Sequence, residues 1–162
     1  MKELTAERLR AVLRYDPETG LFTRIAAGKG SRVGEIAGSL HKGTGYVRVS
    51  VDCQVFLAHR LAWLYMTGEW PAEEIDHKDG AKGDNRFANL RDVSRSINQQ
   101  NKRTCRKDSA TGILGVSPHR GQFVAQIGSE GCIRRLGVFG DIESAHAAYL
   151  AAKREMHAGC TT

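Results

Sequence analysis

A polar, basic segment with almost no large apolar side chain interrupts the chain at residues 102–111, KRTCRKDSAT. This composition is typical of a linker, because it offers nothing to bury in a core. The chain has 162 residues, enough for one compact domain or for two small ones. The interruption therefore predicts two small domains, 1–104 and 112–162, joined by a basic linker at 105–111.

The positive charge of the chain is concentrated in one stretch. The chain has 24 Lys and Arg against 18 Asp and Glu, a formal charge of +6. Residues 91–135 hold nine basic residues against three acidic ones, so the remainder is neutral on balance. A local positive potential of this kind favours a polyanionic partner such as nucleic acid. A solvated charged face is the alternative that this pattern leaves open.

Several classes of protein are disfavoured by composition. The N-terminus is charged and lacks the apolar core of a signal peptide, and the longest apolar patch, 55–66, contains His59 and Arg60. We therefore expect a cytoplasmic protein with no membrane contact. Four cysteines lie far apart, without the close spacing of a zinc finger or a disulfide framework, at Cys53, Cys105, Cys132 and Cys160.

The periodicity of residues 1–104 predicts short elements. Thr5 is a suitable N-cap for a helix over 5–14, and the following 15–20 is dense in turn residues. The same reasoning predicts a strand at 46–51, a turn at 52–54, a strand at 55–57 and a helix at 58–67 that ends before Gly68. His59 in that helix is interpreted as a structural residue whose ring finds a hydrogen-bond partner, and a role in the site is the alternative left open.

Residues 112–162 have the pattern of a three-stranded antiparallel sheet packed on one helix. The strand-like segments are 115–120, 122–127 and 132–139, and Asp141 opens the helix. Alternation predicts that Phe123, Ala125 and Ile127 face the helix. It places another set on the opposite, exposed face, namely Gln122, Val124, Gln126 and Arg135.

Asp, His and Asn are unusually dense in three segments, 74–80, 84–91 and 94–101. A carboxylate beside an imidazole, with carboxamides further along, supplies hard oxygen ligands for a divalent cation and a base of near-neutral pKa. Hydrolysis of a phosphodiester needs this pairing. Taken singly, these residues are also ordinary turn and cap residues, which is our interpretation of Asp79 and Asp84.

The order of these residues, D-H-x-x-G, D-N-x-x-x-N-L-R and N-x-x-N, resembles the active motif of HNH endonucleases of the phage and intron-encoded homing type. The resemblance extends upstream through Ala58–Trp63 and covers most of residues 1–101. It implies an α+β fold whose ββα-metal core spans about 72–101. In that core one strand ends at Asp76 and His77, a second covers about 90–93, and a helix from Ser94 presents Asn98.

The resemblance also implies roles for these residues. His77 is the expected general base, and Asn89 is expected to brace the loop that holds it. Asp76 and Asn98 are the expected ligands of one divalent metal ion, Mg²⁺ or Mn²⁺, because an amide oxygen suits a hard cation.

Residues 112–157 resemble the APETALA-type (ethylene-response-factor) DNA-binding domain, in which a three-stranded sheet contacts DNA and a helix backs the sheet. Ser117 and His119 stand where plant members of that family usually have arginines. The residues that we expect to contact DNA, from both domains and the linker, are Arg91, Arg95, Lys102, Arg103, Arg106, Lys107, Ser117, His119, Arg120, Gln122, Gln126 and Arg135.

These expectations combine into a site-selective, metal-dependent endonuclease that binds double-stranded DNA, acts as a monomer and originates from a phage or mobile element. One alternative is a DNA-binding regulator that keeps an HNH scaffold but does not cleave. Another is an RNA-directed module, although the chain lacks an evident aromatic stacking platform.

Overall fold

The structure, a computed structural model, describes residues 3–27, 32–102, 104–105, 108–129 and 131–157. It is a mixed α+β fold of helices and small antiparallel sheets. The chain divides into two compact units, Met1–Val93 and Ser94–Thr162. The predicted domain bounds, 1–104 and 112–162, stay a prediction.

The first unit begins with helix α1 (Ala6–Val12), whose N-cap Thr5 accepts a hydrogen bond from the backbone of Arg8 at 3.2 Å. The predicted helix over 5–14 was wrong at its end, because the chain passes directly into strand β1 (Leu13–Asp16). Leu13 and Tyr15 are buried while the residues between and after them are exposed, which is the alternation of a strand. Strand β1 pairs with β2 (Leu21–Arg24), and β2 pairs with β3 (Ile36–Ala37).

A second sheet of the first unit contains β4 (Ser39–Leu40), β5 (Val47–Val51) and β6 (Gln54–Leu57). Helix α2 (Ala58–Thr67) follows β6 directly. This confirms the predicted hairpin and helix. Gly68 ends the helix with a φ of 88°, and its backbone N–H donates to the carbonyl of Leu64 at 3.0 Å.

The third sheet is a two-stranded ribbon of β7 (Glu74–His77) and β8 (Leu90–Val93). One residue of each strand, Ile75 and Leu90, is buried in the core that α1, α2 and the other sheets share. These two residues anchor the ribbon, so the side chains at the end of β7 have a fixed position in the unit.

The second unit contains helix α3 (Arg95–Gln100), three strands and helix α4 (Ile142–Met156). Its strands are β9 (Val116–His119), β10 (Gln122–Ser129) and β11 (Cys132–Phe139), with β10 in the middle. Asp141 caps α4 by accepting a hydrogen bond from the backbone of Ser144 at 2.7 Å. The predicted order of three strands and one helix is confirmed.

Phe123, Ala125 and Ile127 lie in the core beneath α4, as alternation predicts. Val124 was wrongly predicted to be exposed, since it is 8% accessible. It lies on the central strand, opposite Ser117 on one side and Val138 on the other, so both neighbouring strands cover it.

Within the described residues, no helix is both long and apolar enough to cross a membrane. Cys53, Cys105 and Cys132 are free cysteines, and Cys160 lies outside the part of the chain that the structure describes.

Candidate active site

Asp76 and His77 end strand β7, and both side chains are buried, with 6% and 4% of their surface accessible. The ribbon register places Asp76 opposite Arg91 and His77 opposite Leu90. A carboxylate and an imidazole are rarely buried without a partner, because burial removes their contacts with water. The partners of these two side chains therefore indicate what the site can do.

Asp76 is paired with Arg91. Its Oδ2 accepts hydrogen bonds from Nε of Arg91 at 2.9 Å and from Nη2 at 2.7 Å. Both donors belong to one guanidinium, which fixes the carboxylate in the buried ribbon. Arg91, which we expected to contact a phosphate, is thus bound within the site itself, and its contact with DNA stays a prediction.

His77 is surrounded by an amide and two rings. Its Nε2 lies 3.5 Å from Oδ1 of Asn85, and the rings of His59 and Tyr46 lie at centroid distances of 5.1 and 6.0 Å. Burial lowers the pKa of His77 below its ordinary value, and the hydrogen bond with Asn85 and the nearby carboxylates oppose this shift only in part. The neutral imidazole, which this shift favours, is the form that can accept a proton.

The side chain of Asn89 holds the loop between the two strands. Its Nδ2 donates to Oδ1 of Asp79 at 2.9 Å and to the carbonyl of Asp84 at 3.0 Å, and its Oδ1 accepts from the backbone of Asp79 at 3.1 Å. The carbonyl of Asn89 accepts from the backbone N–H of Lys78, next to His77, at 2.9 Å. This is the bracing position that the motif predicts, and its effect on catalysis stays a prediction.

The sequence places Asn85 in the loop between the strands, as a turn residue or as a contact to an ion, and the structure buries it against His77. Its carbonyl accepts a hydrogen bond from the hydroxyl of Tyr15 at 2.6 Å. Gly20 also packs on it, because a Cβ there would lie 2.5 Å from the carbonyl carbon of Asn85 and from the nitrogen of Arg86. The hairpin of β1 and β2 thus supports the contact to His77, and no local sequence signal shows a contact across 70 residues.

His59 differs from its interpretation as a hydrogen-bonded structural residue. It is 5% accessible, and its Nδ1 has no hydrogen-bond partner in the described part of the chain. Burial, the nearby His77 and Arg60 lower the pKa of His59 to about 3, so the ring is neutral. The sequence signal for this position is a histidine in an otherwise apolar helix.

Helix α3 belongs to the second unit, and Ser94 is its N-cap. Asn98 lies in the middle of the helix. The predicted start of this helix at Ser94 is confirmed, and the role of Asn98 stays a prediction. The two predicted metal ligands therefore belong to different units, Asp76 to the first and Asn98 to the second, and their joint binding of one ion stays a prediction.

The donor chemistry fits a hard divalent cation, because a buried carboxylate and an amide oxygen are hard ligands. Among the described residues, no group of three or more His, Cys, Asp or Glu forms a ready metal site. The fit therefore depends on Asp76 together with amide, water or substrate oxygens, as is usual for Mg²⁺.

Five of the predicted DNA-contacting residues share one face of the second unit's sheet. In the register, His119 is opposite Gln122, and Gln126 is opposite Arg135, so each pair lies on one side of the sheet. This side points away from Phe123, Ala125 and Ile127. We call it the open face, and it comprises Ser117, His119, Gln122, Gln126 and Arg135.

The remaining predicted contacts are dispersed. Arg95 lies exposed on α3, and Arg120 lies in the turn between β9 and β10 with a φ of 49°. The carbonyl of Lys102 accepts a hydrogen bond from Nζ of Lys153 at 2.6 Å. Arg103, Arg106 and Lys107 lie outside the described residues.

Comparison with known protein families agrees with this geometry. Residues 56–100 match the family model of an HNH endonuclease, and this segment contains α2, the β7–β8 ribbon and α3. The match supports an HNH nuclease domain, which implies a hydrolase that acts on DNA. Searches of curated proteins and of solved structures each found no match.

Proposed function

We propose that the chain is a metal-dependent endonuclease that hydrolyses phosphodiester bonds in duplex DNA. We further propose a homing-type enzyme of phage or mobile-element origin, which acts as a monomer in the cytoplasm of a bacterium or infected host. The observation that carries the proposal is the buried Asp76–His77 pair at the end of β7, inside the segment that matches the HNH family.

In this proposal His77 accepts a proton from a water molecule. The water oxygen attacks the scissile phosphorus as the proton passes to the neutral imidazole. The bond from phosphorus to the 3′ oxygen breaks, and the 3′ oxygen takes the bonding electron pair and a proton from solvent water. Asn85 lies beside one ring nitrogen, and the Asn89 clamp keeps the backbone next to His77 in place. Preorganised groups of this kind lower the barrier because they need not rearrange during the reaction.

Asp76, with Asn98, would hold the metal ion, which when bound would neutralise charge on the scissile phosphate. Without the ion, Oδ2 of Asp76 accepts two hydrogen bonds from Arg91. We propose that Arg91 keeps the buried carboxylate oriented for the ion.

The second unit would bind the duplex as an APETALA-type domain. Support comes from its three-stranded sheet backed by α4 and from the polar side chains on the open face. Amides and an arginine are the side chains that read base edges and phosphates in DNA.

A second candidate is a DNA-binding regulator that does not cleave. The ion pair between Arg91 and Asp76 favours it, since the guanidinium already neutralises the carboxylate that a metal would need. The two candidates differ in whether bound DNA is cut.

The test is cleavage of supercoiled and linear DNA in Mg²⁺ or Mn²⁺ by the wild-type protein and by His77→Ala, with EDTA as a control. We expect metal-dependent nicking or cutting, and a loss of about 10²–10⁴-fold in the rate for His77→Ala with DNA affinity unchanged. Binding without cleavage by either protein, in every metal tested, would instead establish the regulator.

A further inference from the structure

A second histidine lies in the His77 pocket without a role in the chemistry described above. His59 is in the first turn of α2, and its ring stands almost perpendicular to that of His77, at 82° and a centroid distance of 5.1 Å. Tyr46, just before β5, contacts both rings, at 5.0 Å from His59 and 6.0 Å from His77. Three chain segments therefore bring three rings together around the proposed base.

A contribution to the stability of the fold does not explain why a histidine is buried at position 59. Its Nδ1 is buried with no hydrogen-bond partner among the described residues, and such an atom destabilises the fold relative to an apolar ring of similar size. His157 in the second unit is a useful contrast. Its Nδ1 is also unpartnered, but its Nε2 bonds to the carbonyl of Gly128 at 2.7 Å, which fixes its ring.

The orientation of the His77 ring needs support from its neighbours. Rotation about χ2 of histidine is broad, so the side chain's own torsional preference does not aim its nitrogens. The Asn85 contact of 3.5 Å is at the long limit for a hydrogen bond and constrains the ring weakly. The rings of His59 and Tyr46 also pack against the His77 ring, at 5.1 and 6.0 Å, and such contacts constrain its plane. Tyr46 is itself held from outside, with Nζ of Lys82 4.9 Å from its ring centroid.

We propose that His59 is a positioning residue, whose ring holds the plane of His77 so that its nitrogen meets the attacking water. This inference rests on the proposed nuclease function for its catalytic readout. A misplacement of about 1 Å in a reacting group can cost about 10²-fold in rate, so a small rotation of His77 would be measurable.

The test compares two apolar replacements at one position, His59→Phe and His59→Leu. Both remove the nitrogens, but only phenylalanine keeps a planar ring against His77. We expect kcat of the phenylalanine variant within about threefold of wild type and kcat of the leucine variant lower by about tenfold or more. KM and DNA affinity should stay unchanged in both variants, because neither replacement touches the open face.

The same two replacements at His157 are the matched control. They should alter the unfolding temperature without altering kcat, since that ring is buried in the second unit and bonds to the carbonyl of Gly128 there. Equal kcat for His59→Phe and His59→Leu, in proteins with similar unfolding temperatures, would overturn the positioning role.

A second readout separates this inference from the nuclease proposal. The imidazole nitrogen resonances of His77, measured by NMR in the wild-type protein and both variants, report the environment of its ring without any cleavage. We expect a clear shift in His59→Leu and a smaller one in His59→Phe. If wild-type protein fails to cleave DNA, the nuclease proposal fails, and the resonances still decide whether His59 orients His77. Identical resonances in all three proteins would overturn the inference.

Discussion

The His77 pocket and the open face hold their polar side chains in opposite ways. In the pocket, Asp76, His77, Asn85 and Asn89 are all buried, and each contacts a side chain or backbone group of the ribbon and its loop. On the open face, His119, Gln122 and Arg135 are exposed, and no side-chain hydrogen bond fixes them within the described residues.

This difference corresponds to two functions, proton transfer in the pocket and DNA binding on the open face. A group that moves a proton must have a fixed position and a controlled pKa, which burial and fixed neighbours provide. A group that contacts DNA must remain accessible, and it forms its hydrogen bonds only in the complex. Substitutions in the pocket should therefore change the rate at saturating DNA, and substitutions on the open face should change affinity.

The largest effect among variants that spare His77 is expected for Asn89→Ala. It removes three hydrogen bonds to the loop and leaves partly buried backbone groups of Asp79 and Asp84 without these partners, at a cost of about 1–3 kcal/mol in unfolding free energy. With the loop released, we expect the single-turnover rate at saturating DNA to fall by about 10²-fold. Quench-flow cleavage and thermal unfolding measure the two effects.

Asp92→Ala is the matched control for this clamp. Asp92 also holds a turn through its side chain, by accepting from the backbone of Ala72 at 2.8 Å and of Glu73 at 3.1 Å, but at the other end of the ribbon from His77. It should lower the unfolding temperature and leave the rate nearly unchanged. An equal loss of rate in both variants would mean that general destabilisation, and not the pocket, explains the effect.

The next effect is expected for Gly20→Ala, which tests whether the N-terminal hairpin supports the pocket. The new Cβ would collide with the backbone at Asn85 and Arg86, so Asn85 must shift away from its place beside His77. We expect the rate to fall by about tenfold, with DNA affinity unchanged.

Gly34→Ala carries similar backbone strain without the collision. Its φ is 89°, close to the 73° of Gly20, and no described atom lies within 4 Å of the added Cβ. Both variants should lose stability from the positive φ, while only Gly20→Ala should lose rate. The same cleavage rate in both variants would show that the hairpin does not support the site.

The two regions also differ in how far the sequence predicts them. Alternation on β10 correctly places Phe123 and Ile127 under α4, because a strand's period is a local property. The position of Asp76 and His77 at a strand end follows from the resemblance to the HNH motif, and β7 does end at His77. The contacts of Tyr15 with Asn85 and of His59 with His77 depend on packing between distant segments, which local spacing does not encode. The Arg91–Asp76 pair follows from the ribbon register, which the sequence alone leaves undetermined.

The smallest effect is expected on the open face, where Arg135→Ala removes one exposed charge. Loss of one phosphate contact should weaken DNA binding by about three- to tenfold and reduce the slope of log K against log salt by about 0.9. The cleavage rate at saturating DNA should not change. Fluorescence anisotropy titrations at several salt concentrations measure both affinity and slope.

Arg134→Ala provides the control one residue away. Arg134 is opposite Ile127 on the helix side of the sheet, and its Nη1 lies 3.9 Å from Sδ of Met156, whereas Arg135 is opposite Gln126 on the open face. The two variants have the same net charge, so nonspecific attraction to DNA falls equally in both. A larger loss of affinity and slope for Arg135→Ala would show that the open face contacts the duplex. Equal losses of affinity and slope in the two variants would mean that net charge explains the effect and that the open face does not contact DNA.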